Sequence, residues 1–229
     1  MSNSLTSTLR SETDYPINFK KDQNYANADR HLNSISLNSS FGETTILVNN
    51  KKMYNEILDQ SLIAKPGDNV TAKFSFTGAW MNGYVYIDCD NNGQFEAKMD
   101  GKSISAKSDI MTFSALHDNS TDKYFDCQGK ILPNGNSLQP PSFKIPQNLV
   151  EGFYRLRYKV DWCCIDPAGN TKVNNDIIKN RGAIVDTRLC IKNNNTAKIT
   201  ATAANGNLLL MQGSSTIPLN GATATIGKS

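Results

Sequence analysis

Phe153-Tyr-Arg-Leu-Arg-Tyr-Lys-Val-Asp-Trp162 is the longest stretch of strict alternation in the chain. Successive side chains of an extended backbone point to opposite faces. Tyr154, Leu156, Tyr158, Val160 and Trp162 therefore share one side, and Arg155, Arg157, Lys159 and Asp161 the other. The pattern predicts a half-buried strand with Trp162 in the core and the charged row in water. Ala183-Ile-Val-Asp-Thr-Arg-Leu-Cys-Ile191 repeats it, with Ala183, Val185, Leu189 and Ile191 inward and Asp186, Arg188 and Cys190 outward. If the two strands are neighbours, Asp186 meets Arg155 or Arg157 across the ladder. An exposed pair of that kind contributes only about 0.2–1 kcal/mol. The arginines read as structural, their stems covering the sheet while their heads pair with Asp186 and Asp161.

Outward from these strands the same period recurs. Asn69-Val-Thr-Ala-Lys-Phe-Ser-Phe76 places Val70, Ala72, Phe74 and Phe76 on one face. Gly83-Tyr-Val-Tyr-Ile-Asp-Cys-Asp90 separates Val85, Ile87 and Cys89 from Tyr84, Tyr86, Asp88 and Asp90. Ser34–Leu37, Thr45–Val48 and Ile110–Ala115 read as further strands, and Lys65-Pro-Gly-Asp68 as a turn. Asn55–Gln60 and Asn174–Asn180 suit a turn or two of helix, and His117–Pro141 reads as long loops. Many short strands between turn signals predict an all-β protein, an antiparallel β-sandwich of immunoglobulin-like or jelly-roll-like type.

Three segments follow: a polar leader or linker over 1–28, the sandwich over 29–193, and a short C-terminal β segment over 194–229. In the last, Asn205-Gly206 between two apolar runs signals a hairpin, either the start of a second small module or a docked arm.

The 229 residues include 24 Lys+Arg against 21 Asp+Glu. So small a net charge, with no basic block, gives nucleic acid or an anionic membrane surface no electrostatic hold. No apolar run approaches the roughly 20 residues of a membrane span. The N-terminal stretch lacks the apolar core of a signal peptide, so the chain is either intracellular or a piece of an exported protein without its leader. Five cysteines leave at least one thiol without an intrachain partner. Alternation sets the neighbours Cys163 and Cys164 on opposite faces, which argues against a bond between them.

Asp88-Cys-Asp90-Asn-Asn92-Gly93-Gln94-Phe-Glu96 has the spacing of a Ca²⁺ loop. Asp88, Asp90 and Asn92 offer side-chain oxygens, Gln94 a carbonyl, and Glu96 a direct or water-borne ligand. The alternative is a turn whose Asp and Asn side chains bond their own backbone. Trp80, Tyr84, Tyr86 and Tyr124 are the candidate ligand-binding aromatics, because flat rings suit the apolar faces of sugars. No nucleophile elbow, zinc-protease helix or phosphate loop occurs. The hydrolase alternative rests on loop carboxylates drawn from Asp88, Glu151, Asp161 and Asp166.

Three of these segments, in order, resemble the bacterial GEVED domain. Tyr84–Phe95 is similar to its Ile-Asp/Asp-Gly/Phe segment. Phe143-Lys-Ile-Pro146 with Gly152-Phe-Tyr-Arg-Leu-Arg157 is similar to its "IP" and arginine strand. Gly182-Ala-Ile-Val-Asp186 stands at the signature itself, with Ala183 and Val185 where the family has glutamates and Asn92 where it has Asp. The resemblance implies a secreted or cell-surface β-sandwich of Bacteroidota type, an accessory to hydrolases or adhesins without catalysis of its own. The expected function is therefore non-catalytic binding of a glycan or other surface ligand, beside other domains of a larger surface protein. A structural spacer or adhesin segment is the alternative.

Overall fold

The structure, a computed structural model, describes residues 15–19, 29–133, 138–169 and 177–193. The C-terminal hairpin and most of the leader read from the sequence lie outside these residues. In chain order the strands are β1 (His31–Ser39), β2 (Gly42–Leu47), β3 (Tyr54–Ala64), β4 (Asn69–Thr77), β5 (Asn82–Ile87), β6 (Met99–Asp100) and β7 (Ser103–Ile104). There follow β8 (Ile110–Phe113), β9 (Leu116–Asp118), β10 (Lys123–Phe125), β11 (Ile131–Leu132), β12 (Phe143–Lys144), β13 (Gly152–Asp161), the one-turn helix α1 (Ile177–Asn180) and β14 (Ala183–Ile191).

The fold is an all-β sandwich. One sheet has the order β12-β4-β1-β2, and the other the order β3-β14-β13-β5-β8. Pairing is antiparallel except where β3 lies parallel to β14. The turn Lys65–Asp68 has Pro66 at its second position and Gly67 at its third, with Gly67 at φ 81 and the Asp68 N–H donating to the Lys65 carbonyl at 3.1 Å. That is type II chemistry, in which the third position needs positive φ.

Between the sheets, Leu32, Ile35, Leu37, Val70, Ala72 and Phe74 meet Val85, Ile87, Tyr154, Leu156, Tyr158, Val160, Val185 and Leu189. Alternation placed these side chains correctly on β4, β5, β13 and β14. Two other readings need correction. Asn55–Gln60 is not helical but belongs to β3, because pairing with β14 satisfies its backbone in extended form. His117–Pro141 includes the three-stranded ribbon β11-β10-β9. Of the leader, residues 15–19 are packed against the sandwich: Phe19 is buried, and the Asn18 N–H donates to the Ala168 carbonyl at 2.8 Å.

The largest departure is on the far face of the second sheet. Arg155, Arg157, Lys159, Asp161 and Asp186 are buried there, not solvated. Loops and short strands form a second cluster over this face, with Tyr84, Tyr86, Phe95, Ile110, Phe113 and Phe125 at its centre. Register sets Arg157 directly opposite Asp186. The guanidinium grips the carboxylate with two bonds, Nε to Oδ1 and Nη2 to Oδ2, both 2.7 Å. Its remaining nitrogen, Nη1, donates to the carbonyls of Pro16 at 2.8 Å and Pro167 at 3.2 Å. The Tyr54 hydroxyl donates to Asp186 Oδ2 at 3.1 Å, and the guanidinium carbon stands 4.7 Å from the centre of the Phe95 ring. Arg155 pairs instead with Glu56 at 2.6 Å.

Breaking a buried pair by removing one partner leaves an uncompensated charge, which costs about 3–5 kcal/mol. Asp186→Ala is expected to lose that much in urea unfolding. The double variant Arg157→Met with Asp186→Leu is expected to lose less than the single change, because no charge is then stranded. A double variant weaker than Asp186→Ala would show that the pair is not the unit that matters.

Burial also pushes the phenols of Tyr15, Tyr54, Tyr84, Tyr86 and Tyr158 far above the ordinary value of 10.0. The unfolded chain releases those protons near pH 10.0 while the folded chain keeps them. Stability therefore falls as pH rises above that value. Lys159 acts with the opposite sign, because burial disfavours its ammonium, but it is one group against five. The phenolate absorbance of these five, out of eight tyrosines in the chain, is expected to appear in one steep step together with loss of the near-ultraviolet dichroism. Ionisation of more than three tyrosines with the fold intact would contradict this.

Candidate functional site

The final rung of the β5–β13 ladder pairs Asn82 with Asp161. Beyond it the chain departs on both sides, and each departure carries a tryptophan. Trp80 is 60% exposed and Trp162 45%. Their ring centroids are 6.5 Å apart with an interplanar angle of 31°. Between Trp80 and the strand, Met81 is buried in the main core. Asn82 is buried as well, and its amide donates to the Trp162 carbonyl at 3.0 Å. Gly83 lies close beneath Leu138, whose carbonyl oxygen would stand 2.2 Å from a Cβ at that position. Both tryptophans are thus held by backbone anchors while their rings stay in water.

Trp80 has φ 65, in the left-handed region. A bulky residue is costly there, by about 1–2 kcal/mol relative to ordinary backbone. The fold does not recover that cost by burying the ring. Cys164, two residues after the other tryptophan, has φ 77. Left-handed conformations on non-glycine residues thus flank the aromatic pair on both strands. Such local strain is a pointer to function.

Trp162 leads into a disulfide between the neighbours Cys163 and Cys164, contrary to the expectation that they stay apart. The alternation argument fails because β13 ends at Asp161 and the next residues turn. The same end-of-strand effect exposes Trp162, which the period assigned to the core. The turn is held from below by the buried ammonium of Lys159. It donates to the carbonyls of Cys164 at 2.7 Å and Asp166 at 2.6 Å and lies 3.6 Å from Asp161 Oδ2. Its nitrogen also sits 4.6 Å from the centre of the Tyr84 ring. The Tyr86 hydroxyl donates to the Ile165 carbonyl at 3.0 Å. Asn18 donates through its side chain to Asp166 Oδ2 and the Gly169 carbonyl.

Of the aromatics proposed from sequence, only Trp80 belongs to this surface. Tyr84 and Tyr86 are fully buried under the loops of the second cluster, so their reading as surface residues is corrected. The alternation was right, but the face they occupy has its own core. Tyr124 is half-buried on β10, 4.8 Å from the His117 ring in a separate part of the molecule's surface ribbon. Trp162, weighed as a flat platform but assigned by its period to the core, stands instead exposed beside Trp80. Its position just before Cys-Cys and Asp-Pro, where a strand must stop, was the available signal.

The loop Asp88–Glu96 bonds to itself. Asp88 Oδ1 accepts from the Asn92 N–H at 3.2 Å, and Oδ2 from the Gly93 N–H at 3.0 Å and the Tyr15 hydroxyl at 2.5 Å. Asp90 accepts from the Asn92 backbone and side chain, and Asn92 Oδ1 from the Gln94 N–H at 2.8 Å. Glu96 points to Lys98. Burial lifts the Asp88 carboxyl above its ordinary range, against the pull of Tyr15 and Gly93. Among the described residues, no group of three or more His, Cys, Asp or Glu is arranged to hold a metal. The donors are spent on Asx turns, and in this arrangement they do not fit Ca²⁺, which needs six to eight oxygens turned to one point.

The carboxylates considered for hydrolysis are placed differently. Asp88 and Asp161 are fully buried. Asp166 is half-buried and caps the Ala168 N–H at 2.9 Å. Glu151 is exposed at the start of β13. Nearby, burial pushes the Cys89 thiol up to about 12, which keeps it protonated.

No protein-family model matches the chain, and no curated protein matches it.

If Trp80 is held for its ring and not for the fold, glycine should replace it without penalty. Glycine enters the left-handed region freely but loses more entropy on folding. Trp80→Gly is expected to stay within about 1 kcal/mol of the parent chain in urea unfolding. A loss of about 3–5 kcal/mol, as for a truncated core aromatic, would make Trp80 a packing residue.

Proposed function

We propose that this chain is a non-catalytic binding module of a secreted or cell-surface protein, and that Trp80 and Trp162 form its ligand face. The ligand class that fits is a carbohydrate. Two exposed, tilted indoles offer flat apolar area to the faces of pyranose rings. The single observation that carries the reading is this exposed ring pair, 6.5 Å between centroids, held on strained and anchored backbone. A disulfide is at home in an oxidising compartment, which supports export. The ordered resemblance of Tyr84–Phe95, Phe143–Arg157 and Gly182–Asp186 to the GEVED domain supports the same setting. The buried positions of Asp88 and Asp161 support binding without catalysis.

A glycan array probed with the full chain tests the proposal. Retention on one or more polysaccharides is expected, and Trp80→Ala and Trp162→Ala are each expected to weaken it by about tenfold or more. An array without signal would leave the chain as a spacer or adhesin segment. Binding that survives both substitutions would move the ligand face elsewhere.

A further inference from the structure

We infer that the Cys163–Cys164 disulfide is a redox-sensitive latch that sets the geometry of the Trp80–Trp162 pair. The inference extends the binding reading above to the regulation of that same face.

The turn 162–169 is held unevenly along its length. Its far half is fixed many times over. Lys159 donates to the Asp166 carbonyl, Asn18 bonds Asp166, Ala168 and Gly169, and Arg157 bonds Pro167. Its near half, which carries the tryptophan, is held by the Asn82 bond to the Trp162 carbonyl, the Lys159 bond to the Cys164 carbonyl and the disulfide. The disulfide closes a small ring that includes the peptide between the two cysteines. Inside that ring Cys164 sits at φ 77, a conformation an open-chain cysteine disfavours. Opening the ring lets Cys164 return to ordinary backbone. Its carbonyl then turns away from Lys159, and the residue two positions earlier, Trp162, moves relative to Trp80.

Both cysteines are half-buried, so a thiolate can reach them. The chemistry is thiol–disulfide exchange. One thiolate of a dithiol reductant attacks one sulfur and forms a mixed disulfide with it, as the Sγ–Sγ bond breaks and the other cysteine leaves. The reductant's second thiol then attacks the reductant sulfur of that mixed disulfide and releases the first cysteine. Two electrons and two protons pass to Cys163 and Cys164, which become thiols, and the reductant becomes a disulfide. Cys89, Cys127 and Cys190 are free, so the exchange has one target in this chain.

The chain contains two tryptophans, and both belong to the pair, so the exciton couplet of the two indoles in circular dichroism reports this site alone. The experiment uses the full chain, purified in air, before and after dithiothreitol. Alkylation in denaturant counts thiols, the couplet reads the mutual geometry of the rings, and a cellohexaose titration reads binding. Alkylated thiols are expected to rise from three to five. The couplet is expected to change with them, and binding to weaken by about three- to tenfold. The double variant Cys163→Ser, Cys164→Ser should give the reduced form's couplet and not respond to dithiothreitol. Five thiols before reduction would overturn the latch, because no bond would be present to open. A rise from three to five thiols with the couplet unchanged would also overturn it. A changed couplet without cellohexaose binding in either state would leave the latch standing and count against that sugar as the ligand. Equal binding in both states, with an unchanged couplet, would overturn the latch and leave the sugar standing.

Discussion

The fork between Arg157 and Asp186 is the constraint around which the second sheet is organised. It locks β13 to β14 in one register, because a shift of one residue would set the guanidinium opposite Val185 or Thr187, neither of them a carboxylate, and flip every side chain to the wrong face. It also cannot be left half-covered. Desolvating this pair is tolerable only if the remaining donors find acceptors, and Nη1 finds them in Pro16 and Pro167. Those carbonyls belong to the segment 15–19 and to the turn after β13. The covering layer on this face is thus tied to the charges it covers.

Lys159 connects that buried row to the aromatic pair. It stands two residues from Arg157 on the same face of β13, and its ammonium holds the turn that follows Trp162. A charge that looks solvated in the sequence therefore acts as an internal clamp. Its hydrogen bonds go to main-chain carbonyls, so what it fixes is backbone path rather than a side-chain partner. The exposed indoles thus rest on backbone that is hydrogen-bonded to the interior. That is the arrangement a preformed binding face needs, because little order remains to be imposed when a ligand arrives.

The inter-sheet core was legible in the sequence because its strands alternate and one face is purely apolar. Val70, Ala72 and Phe74, like Leu156 and Val160, needed only the period of two. The second core was not legible. Arginine, lysine and aspartate on the opposite face of β13 carry the same signature whether they meet water or each other, and only three-dimensional neighbours decide between the two. The same ambiguity misplaced Tyr84 and Tyr86. Asn55–Gln60 shows a second limit: its local pattern suits a helical turn, yet a partner more than a hundred residues later in the sequence makes it a strand. At the candidate site, Trp80 was legible as an exposed aromatic. Trp162 was not, because periodicity carries no information past the residue at which the strand stops.

The seat of β14 between β3 and β13, parallel to the first and antiparallel to the second, bears on how the molecule is made. β14 is the last of the described strands to leave the ribosome, yet it occupies an interior place in its sheet. Until it arrives, β3 and β13 have facing edges with unpaired backbone groups, and Arg157 has no carboxylate. The sandwich therefore cannot mature progressively from its N-terminal side. Its second sheet can close only once residue 191 has cleared the ribosome.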